Sequence, residues 1–498
     1  MAERPGRLVW GLVGTTGAAI GALTVLTVVG GPAPLVLGLQ VVLIASFAAL
    51  AIVDLRVAVA IAMLELAVAG ASGQWTRLPG GVSGRITLDL IVAAVAAARL
   101  AIAWRRTGRL ELGRYGPHAL ALAIVIPAVW IPLGFVNGNR PSDVLADGNA
   151  HLFFAFTLAF IVLIRAGHGA WLRHWFAVSC WANGIVTFVL ILISATGLVD
   201  LDTTMRHILT DKLLAGNVVG YQPNGAYRLF LASGLYLQLG LGLTTWRLLQ
   251  APRDLRWWAL YGILLVDVAA TYTRGFWAGT VLAIGIVLIL GSRGWRRPTI
   301  VVAGSAGVVL LATLVLLPVG FSVPNYLLQR TASIGAGLGD RPTASPDPNA
   351  DPEQDISGAV SNQVRVVQAR VLLGHIAERP ILGHGFGTIA RDYPYDQIYS
   401  YELAYLDLTY KSGIVGLLLF LSYPVRLLVD AVRIRFGGLD PPDGVDRREL
   451  AIVISVILSI AATGATNPYF LAAFGLMPIL VMIAWLDTLA RPERRGTG

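Results

Sequence analysis

The chain has 498 residues, of which 56% are hydrophobic and only 13% charged, and its mean hydropathy is +0.69. A soluble globular chain carries roughly 25% charge, so the composition excludes a water-soluble domain and points to an integral membrane protein. The net charge of +9 reads as basic loops beside a bilayer and argues for no nucleic-acid partner, because Lys and Arg in short cytoplasmic loops set membrane orientation.

Apolar runs near the 20 residues that a helix needs to cross hydrocarbon recur from end to end. They lie at 8–29, 34–53, 56–70, 84–104, 117–136, 149–167, 171–196, 228–247, 257–273, 275–292, 299–320, 410–430, 449–467 and 469–489. The predicted fold is all-α, a polytopic transmembrane helical bundle of about 12–14 spans. The runs do not alternate as strands of a membrane barrel would. The first run is long enough to span and lacks a small-residue cleavage site, so it is expected as a span and not as a signal peptide. The lone cysteine, Cys180, sits inside the seventh run, which excludes an intramolecular disulfide and a cysteine-rich metal site.

Fourteen crossings put both termini on one side. The loops RRTGRLELGR (105–114), RAGHGAWLRH (165–174), RLLQAPRDLR (247–256), the run 293–297 and 432–448 gather on that side. The positive-inside preference makes it cytoplasmic, so the expected location is the cytoplasmic (inner) membrane, multi-pass. The chain divides as 1–320 (spans one to eleven), 321–409 (a large, partly helical extracytoplasmic loop) and 410–498 (the last three spans and a cytoplasmic tail).

The loop at 321–409 is far longer than the roughly 15 residues beyond which loops are usually functional or disordered. Its first part, GLGDRPTASPDPNADPEQD, has the composition of a mobile tract. The Asp-x-Asn-x-Asp start at Asp347 resembles a calcium loop but has Pro352 where glycine is needed and Gly358 where a glutamate belongs. From Val364 the spacing predicts a helix that stops at Pro380.

Charge and aromatic residues converge on this outer face. Arg274, in TYTRGFWAGT, stands at a membrane edge, where an ionised group is costly without a partner; snorkelling to headgroups is the plainer reading. Arg228 opens the eighth span with the same ambiguity. Arg365 and Arg370 are five residues apart on the expected helix, about 140° of rotation, so they do not aim at one target. In ILGHGFG, glycines 383, 385 and 387 permit a tight turn that brings backbone N–H groups close to a ligand, and His384 lies between two of them. Tyr393, Tyr395, Tyr399, Tyr401, Tyr405 and Tyr410 suit a membrane-interface belt or the faces of sugars.

These residues together give the chain its likeness to a family. PILGHGFG, preceded by Arg365 and followed by Gly413-Ile414-Val415-Gly416, resembles the bacterial O-antigen ligase and O-antigen polymerase family, the likeness reaching back to TYTRG and Arg228 and so covering roughly 220–430. In the ligases a His followed by Asn, Ser or Gln stands nine residues before Gly-x-x-Gly; counting back here reaches Glu402-Leu403, a carboxylate in place of the histidine.

The resemblance implies a membrane glycosyltransferase. Its donor would be a polyprenyl-diphosphate-linked glycan, undecaprenyl diphosphate being the usual carrier, and its acceptor a glycan or glycolipid hydroxyl. It implies Arg228, Arg274 and Arg365 as a clamp on the donor diphosphate and, at the position of the family histidine, Glu402 as the catalytic base for an inverting transfer; on the residues alone, Arg370 is a further substrate-binding candidate with a solvated face as the alternative, and His384 one with a structural role as the alternative. The scheme requires no cofactor and no metal. A Glu can serve where a His is usual if its surroundings are partly shielded from water. Ligase and polymerase use the same donor and are not separated by the sequence, and peptidoglycan polymerases built around an outer carboxylate are a related possibility. The alternative from another class is a transporter or flippase of lipid-linked oligosaccharides, which calls for charge near mid-membrane and related halves; no internal repeat is evident.

Overall fold

The computed structural model describes residues 6–29, 32–68, 84–196, 218–221, 227–316, 358–394 and 401–487. Two helices, α1 (Arg7–Val29) and α2 (Ala33–Val53), pair at the edge of the bundle, and α3 (Leu55–Val68), α4 (Gly84–Thr107) and α5 (Gly116–Val136) follow. The next crossing is broken: α6 (Pro141–Leu152) tightens into a 3₁₀ turn at Phe153–Phe156 before α7 (Thr157–Arg165). Then come α8 (Gly169–Ala195), a hairpin of β1 (Val218–Tyr221) and β2 (Tyr227–Phe230), α9 (Leu235–Gln250), α10 (Leu255–Ala270), α11 (Arg274–Gly291) and α12 (Arg296–Leu316). After the long loop stand α13 (Gly358–Glu378), α14 (Ala404–Arg435), α15 (Leu450–Gly464), α16 (Ala473–Val481) and α17 (Ile483–Leu486).

The chain is an all-α polytopic bundle. Among the described residues, nine helices are long and apolar enough to cross a membrane. Shorter ones such as α9 and α15, 16 and 15 residues, lie inside the bundle with almost every side chain buried. By contrast α12 faces outward with Leu310, Leu311 and Leu314 exposed. A helix apolar all round is either interior or lipid-facing, and both kinds are present.

Because lipid tails are as apolar as leucine, helices in a membrane associate through close packing of small residues and through hydrogen bonds. Thr463 of α15 bonds Gln238 of α9 (3.0 Å) and the carbonyl of Gly275 in α11 (3.2 Å). A side chain at Gly279 of α11 would collide with the Gln238 amide oxygen and the Thr463 hydroxyl.

Two boundaries differ from the sequence expectation. The eighth span was expected to begin at 228; instead Arg228 lies on β2, paired with Gly220 of β1, and the helix starts only at Leu235 after a 3₁₀ turn. The stretch Tyr-Arg-Leu-Phe is rich in aromatic residues, which favours a strand. The division expected at 409/410 falls inside α14, which begins at Ala404 and runs 32 residues, about 48 Å. That is too long for one crossing, and the helix breaks at Gly413 (φ 65°, ψ −176°). Residues 414–435, about 33 Å, then match a bilayer core. The candidate calcium loop up to Ser357, Tyr395, Tyr399 and the tail lie outside the described residues.

The hydrogen bonds between helices separate two ends of the bundle. One end carries the loops at 107–115, 251–254 and 436–449; the other carries the hairpin, α13 and the first turns of α14 and α11.

Candidate active site

At the second end Arg365 of α13 and Glu402, just ahead of α14, form an ion pair of 2.8 Å. Gln368, one turn further along α13, accepts from the backbone N–H of Leu403 (3.1 Å) and fixes the segment that carries Glu402 against the helix. Arg228 reaches the same place from β2. It donates through Nε to the carbonyl of Thr271 (3.3 Å), and its guanidinium lies 5.2 Å from the centre of the Phe230 ring.

Below it Phe230 stacks on Phe276 (5.8 Å), which stacks on buried Tyr469 (5.1 Å), so an apolar aromatic floor closes the site toward the bundle. Burial pushes the Arg228 guanidinium down from its usual value; the Tyr469 hydroxyl and the Glu402 carboxylate oppose that shift, and the like charge of Arg365 adds to it.

Arg274 enters from a third element. It is the first residue of α11, and its electrostatic neighbours are Arg365 and Glu402. The turn before it is strained: Tyr272 has φ 53°, alone among the described non-glycine residues in the left-handed region. That costs of order 1–3 kcal/mol for a bulky residue, and strain of this kind clusters at functional sites. Thr271 stabilises the turn by accepting from Thr273 N–H, while the Thr273 hydroxyl donates to the Thr271 carbonyl.

Four of the six residues singled out in the sequence, Arg228, Arg274, Arg365 and Glu402, are thus brought together. Arg370 and His384 are not. Arg370 is exposed on α13, as the five-residue offset from Arg365 requires. His384 packs against His375 and Tyr410 (ring centres 5.9 and 5.0 Å), and its Nε2 bonds the His375 carbonyl (2.9 Å). His375 is ten residues beyond Arg365, about 15 Å along the helix.

The glycine turn does not cradle a ligand. Each backbone N–H from 383 to 387 already has a protein acceptor: Arg379 O, Tyr410 O, Lys411 O, Trp130 O and the Asp147 carboxylate, respectively. The turn instead docks on the break in α14. Ile414 and Val415 donate back to Pro380 and Ile381, and a side chain on Gly413 would strike the Ile381 backbone. This gives Gly413 of the Gly-x-x-Gly a packing role: it opens the helix for the 380–387 turn to close. Three of the described tyrosines are neither an interface belt nor a sugar platform. Tyr393, Tyr401 and Tyr410 are buried in one cluster with Leu372 and Ala390, because the turn and α13 fold over them.

Sequence reasoning missed a buried ionic network beside this dock. Lys411 Nζ lies 2.9 Å from Asp147 of α6 and 3.1 Å from Asp407 one turn back, with all three nearly or fully buried. Asp147 also accepts from Gly387 N–H (2.7 Å), and Asp407 from Tyr401 N–H (3.4 Å) next to Glu402. The i,i+4 spacing of Asp407 and Lys411 was readable, as was the rarity of lysine; the partner on α6, 264 residues away, was not.

Residues 259–421 match the family described as O-antigen ligase. That segment contains Arg274, Arg365, the 380–387 turn, Glu402 and the break at Gly413, while Arg228 precedes it. No curated protein matches the chain.

Proposed function

We propose, for a chain whose residues 259–421 are those of the O-antigen ligase family, that it transfers a glycan from a polyprenyl diphosphate to an acceptor hydroxyl at the outer face of the inner membrane. The family implies a glycosyl-transfer enzyme working on a lipid-linked glycan in a membrane. The observation that carries the finer reading is the meeting of Arg228, Arg274 and Arg365 around Glu402.

Arginine suits a diphosphate because it stays ionised and can hold two oxygens at once. When the bond from the anomeric carbon to the diphosphate oxygen breaks, negative charge grows on the leaving group. Cations set against an apolar floor act strongly on that charge. Glu402 takes the proton from the acceptor hydroxyl as its oxygen attacks the anomeric carbon from the opposite side, inverting the configuration. The Arg365–Glu402 pair fits this sequence of events: a diphosphate, carrying more charge than a carboxylate, competes for Arg365 and leaves Glu402 to receive the proton. Both termini are then cytoplasmic, since the arginine-rich end of the bundle faces inward. In the transport reading, charge belongs near mid-membrane; here the buried Asp407 and Lys411 lie in the first two turns of α14.

The test is to incubate the purified protein with a polyprenyl-diphosphate oligosaccharide and an acceptor, and to measure free polyprenyl diphosphate together with transferred glycan. Glu402→Gln is expected to abolish both products while donor still binds. Near-normal product from that variant removes the base assignment, and movement of donor across the bilayer without cleavage hands the site to a transporter.

A further inference from the structure

The last turn of α13 and the 380–387 turn assemble a second group of side chains, separate from the arginine cluster. One ligand atom from each of His375, Glu378 and His384 lies within 4.8 Å of the other two. His375 and Glu378 are three apart on one helix face, and His384 is carried on a turn that five backbone hydrogen bonds fix in place.

The hydrogen bonds around the imidazoles are those of metal-binding histidines. His375 Nε2 meets the Asp392 carboxylate at 2.7 Å, and His384 Nε2 meets the His375 carbonyl at 2.9 Å. A carbonyl only accepts, so the His384 proton is on Nε2 and its lone pair is on Nδ1. Metal-ligating histidines nearly always donate their far N–H to a carboxylate or a backbone carbonyl, and here each has one of these.

The third distance is informative. His375 Nδ1 and Glu378 Oε2 are 3.3 Å apart, long for a charge-assisted hydrogen bond of about 2.7–2.9 Å. Two ligands bound at about 2.05 Å to one tetrahedral ion are separated by about 3.3 Å.

We propose that His375, Glu378 and His384 bind one divalent transition ion of the Zn²⁺ class, with Asp392 behind His375 and a water completing the tetrahedron. Two imidazoles and one carboxylate select such ions over Mg²⁺ and Ca²⁺, which prefer all-oxygen sets. The site stands about 15 Å along α13 from Arg365, out of reach of the transferring phosphate, so the ion's role is to pin the end of α13 to the turn docked on α14. Nothing in this inference depends on the transfer reading.

The experiment uses the full-length protein without a histidine tag, in detergent, stripped by chelator and dialysed. ZnCl2 is titrated calorimetrically and CoCl2 by visible absorption. One ion per chain is expected, undisturbed by excess Mg²⁺. Glu378→Gln, an exposed and conservative change, and His375→Ala are each expected to weaken Zn²⁺ at least ten-fold, the low end of the range for disturbing a metal site. His174→Ala, a histidine exposed at the opposite end, should leave it unchanged. Absence of saturable binding in the wild type, equal affinity in the Glu378→Gln protein, or displacement by Mg²⁺ overturns the proposal.

Discussion

At one end of the bundle Arg297 donates to Leu249 O at the close of α9 (3.0 Å), Arg435 to Leu290 O at the close of α11 (2.9 and 2.6 Å), and Arg173 to Ala484 O in α17 (2.9 Å). Arg114 and Tyr115 share Asp430 there (2.8 and 2.9 Å). At the other end Arg228, Arg274 and Arg365 gather round Glu402. The same residue type thus does two kinds of work. Cations at helix C-termini answer the partial negative charge of the last carbonyls, and each is matched locally. The three at the hairpin end come from separate elements and converge on one carboxylate. Arginine abundance locates neither role; what distinguishes them is whether the cations cap separate helix ends or converge on one point.

That contrast can be broken in several places. Lys411→Met at the site end leaves Asp147 and Asp407 buried without their cation and should cost about 3–5 kcal/mol, read as a large drop in thermal stability; an unchanged melting temperature would mean that the network is not closed. Arg274→Ala should lower transfer about 10²–10³-fold, as loss of a transition-state charge donor does, with little change in melting temperature. A fall in stability without a fall in turnover would make Arg274 a scaffold residue like those at the opposite end.

Asp487 tests the scaffold end through pH. Burial pushes its carboxyl up to about 6, against the pull of Arg114, whereas an unfolded aspartate titrates near 3.9. The folded state therefore disfavours the ionised form. Stability should rise as pH falls from about 7 toward 4, and Asp487→Asn should gain about 1 kcal/mol at pH 8 and nothing at pH 4; melting curves of both proteins across that range decide it. Arg435→Ala should cost less than about 1 kcal/mol and leave transfer intact, the opposite of Arg274→Ala.

The bundle was legible because a membrane span is written in one contiguous stretch: length and hydropathy alone mark most of the helices. The arginine and Glu402 gathering was legible through topology, since an even number of crossings puts 228, 274, 365 and 402 on one face. Features set by distant pairing were not. β2 is four residues at the head of an apolar run, too short to stand out there until its pairing with β1 is seen. The fates of the 384–387 amides were hidden because their acceptors come from α5, α6 and α14. His384 read as a ligand contact for the same reason: between glycines it looks exposed, yet Tyr410 and His375 cover it. Tyrosines 393, 401 and 410 read as surface aromatics until α13 is laid over them.

The interruption of α14 at Gly413 has a bearing on how this architecture can be rebuilt. Backbone carbonyls of Tyr410 and Lys411 are handed to the turn at 384–385, and amides of 414 and 415 are returned to it. The extramembranous helix and the lipid-crossing one are therefore knitted into a single unit of about sixty residues, 358–416, which docks on α5 and α6. A chimera cut at the apparent water–lipid boundary would sever that knit, whereas one cut before α13 and after Gly416 would carry it over whole.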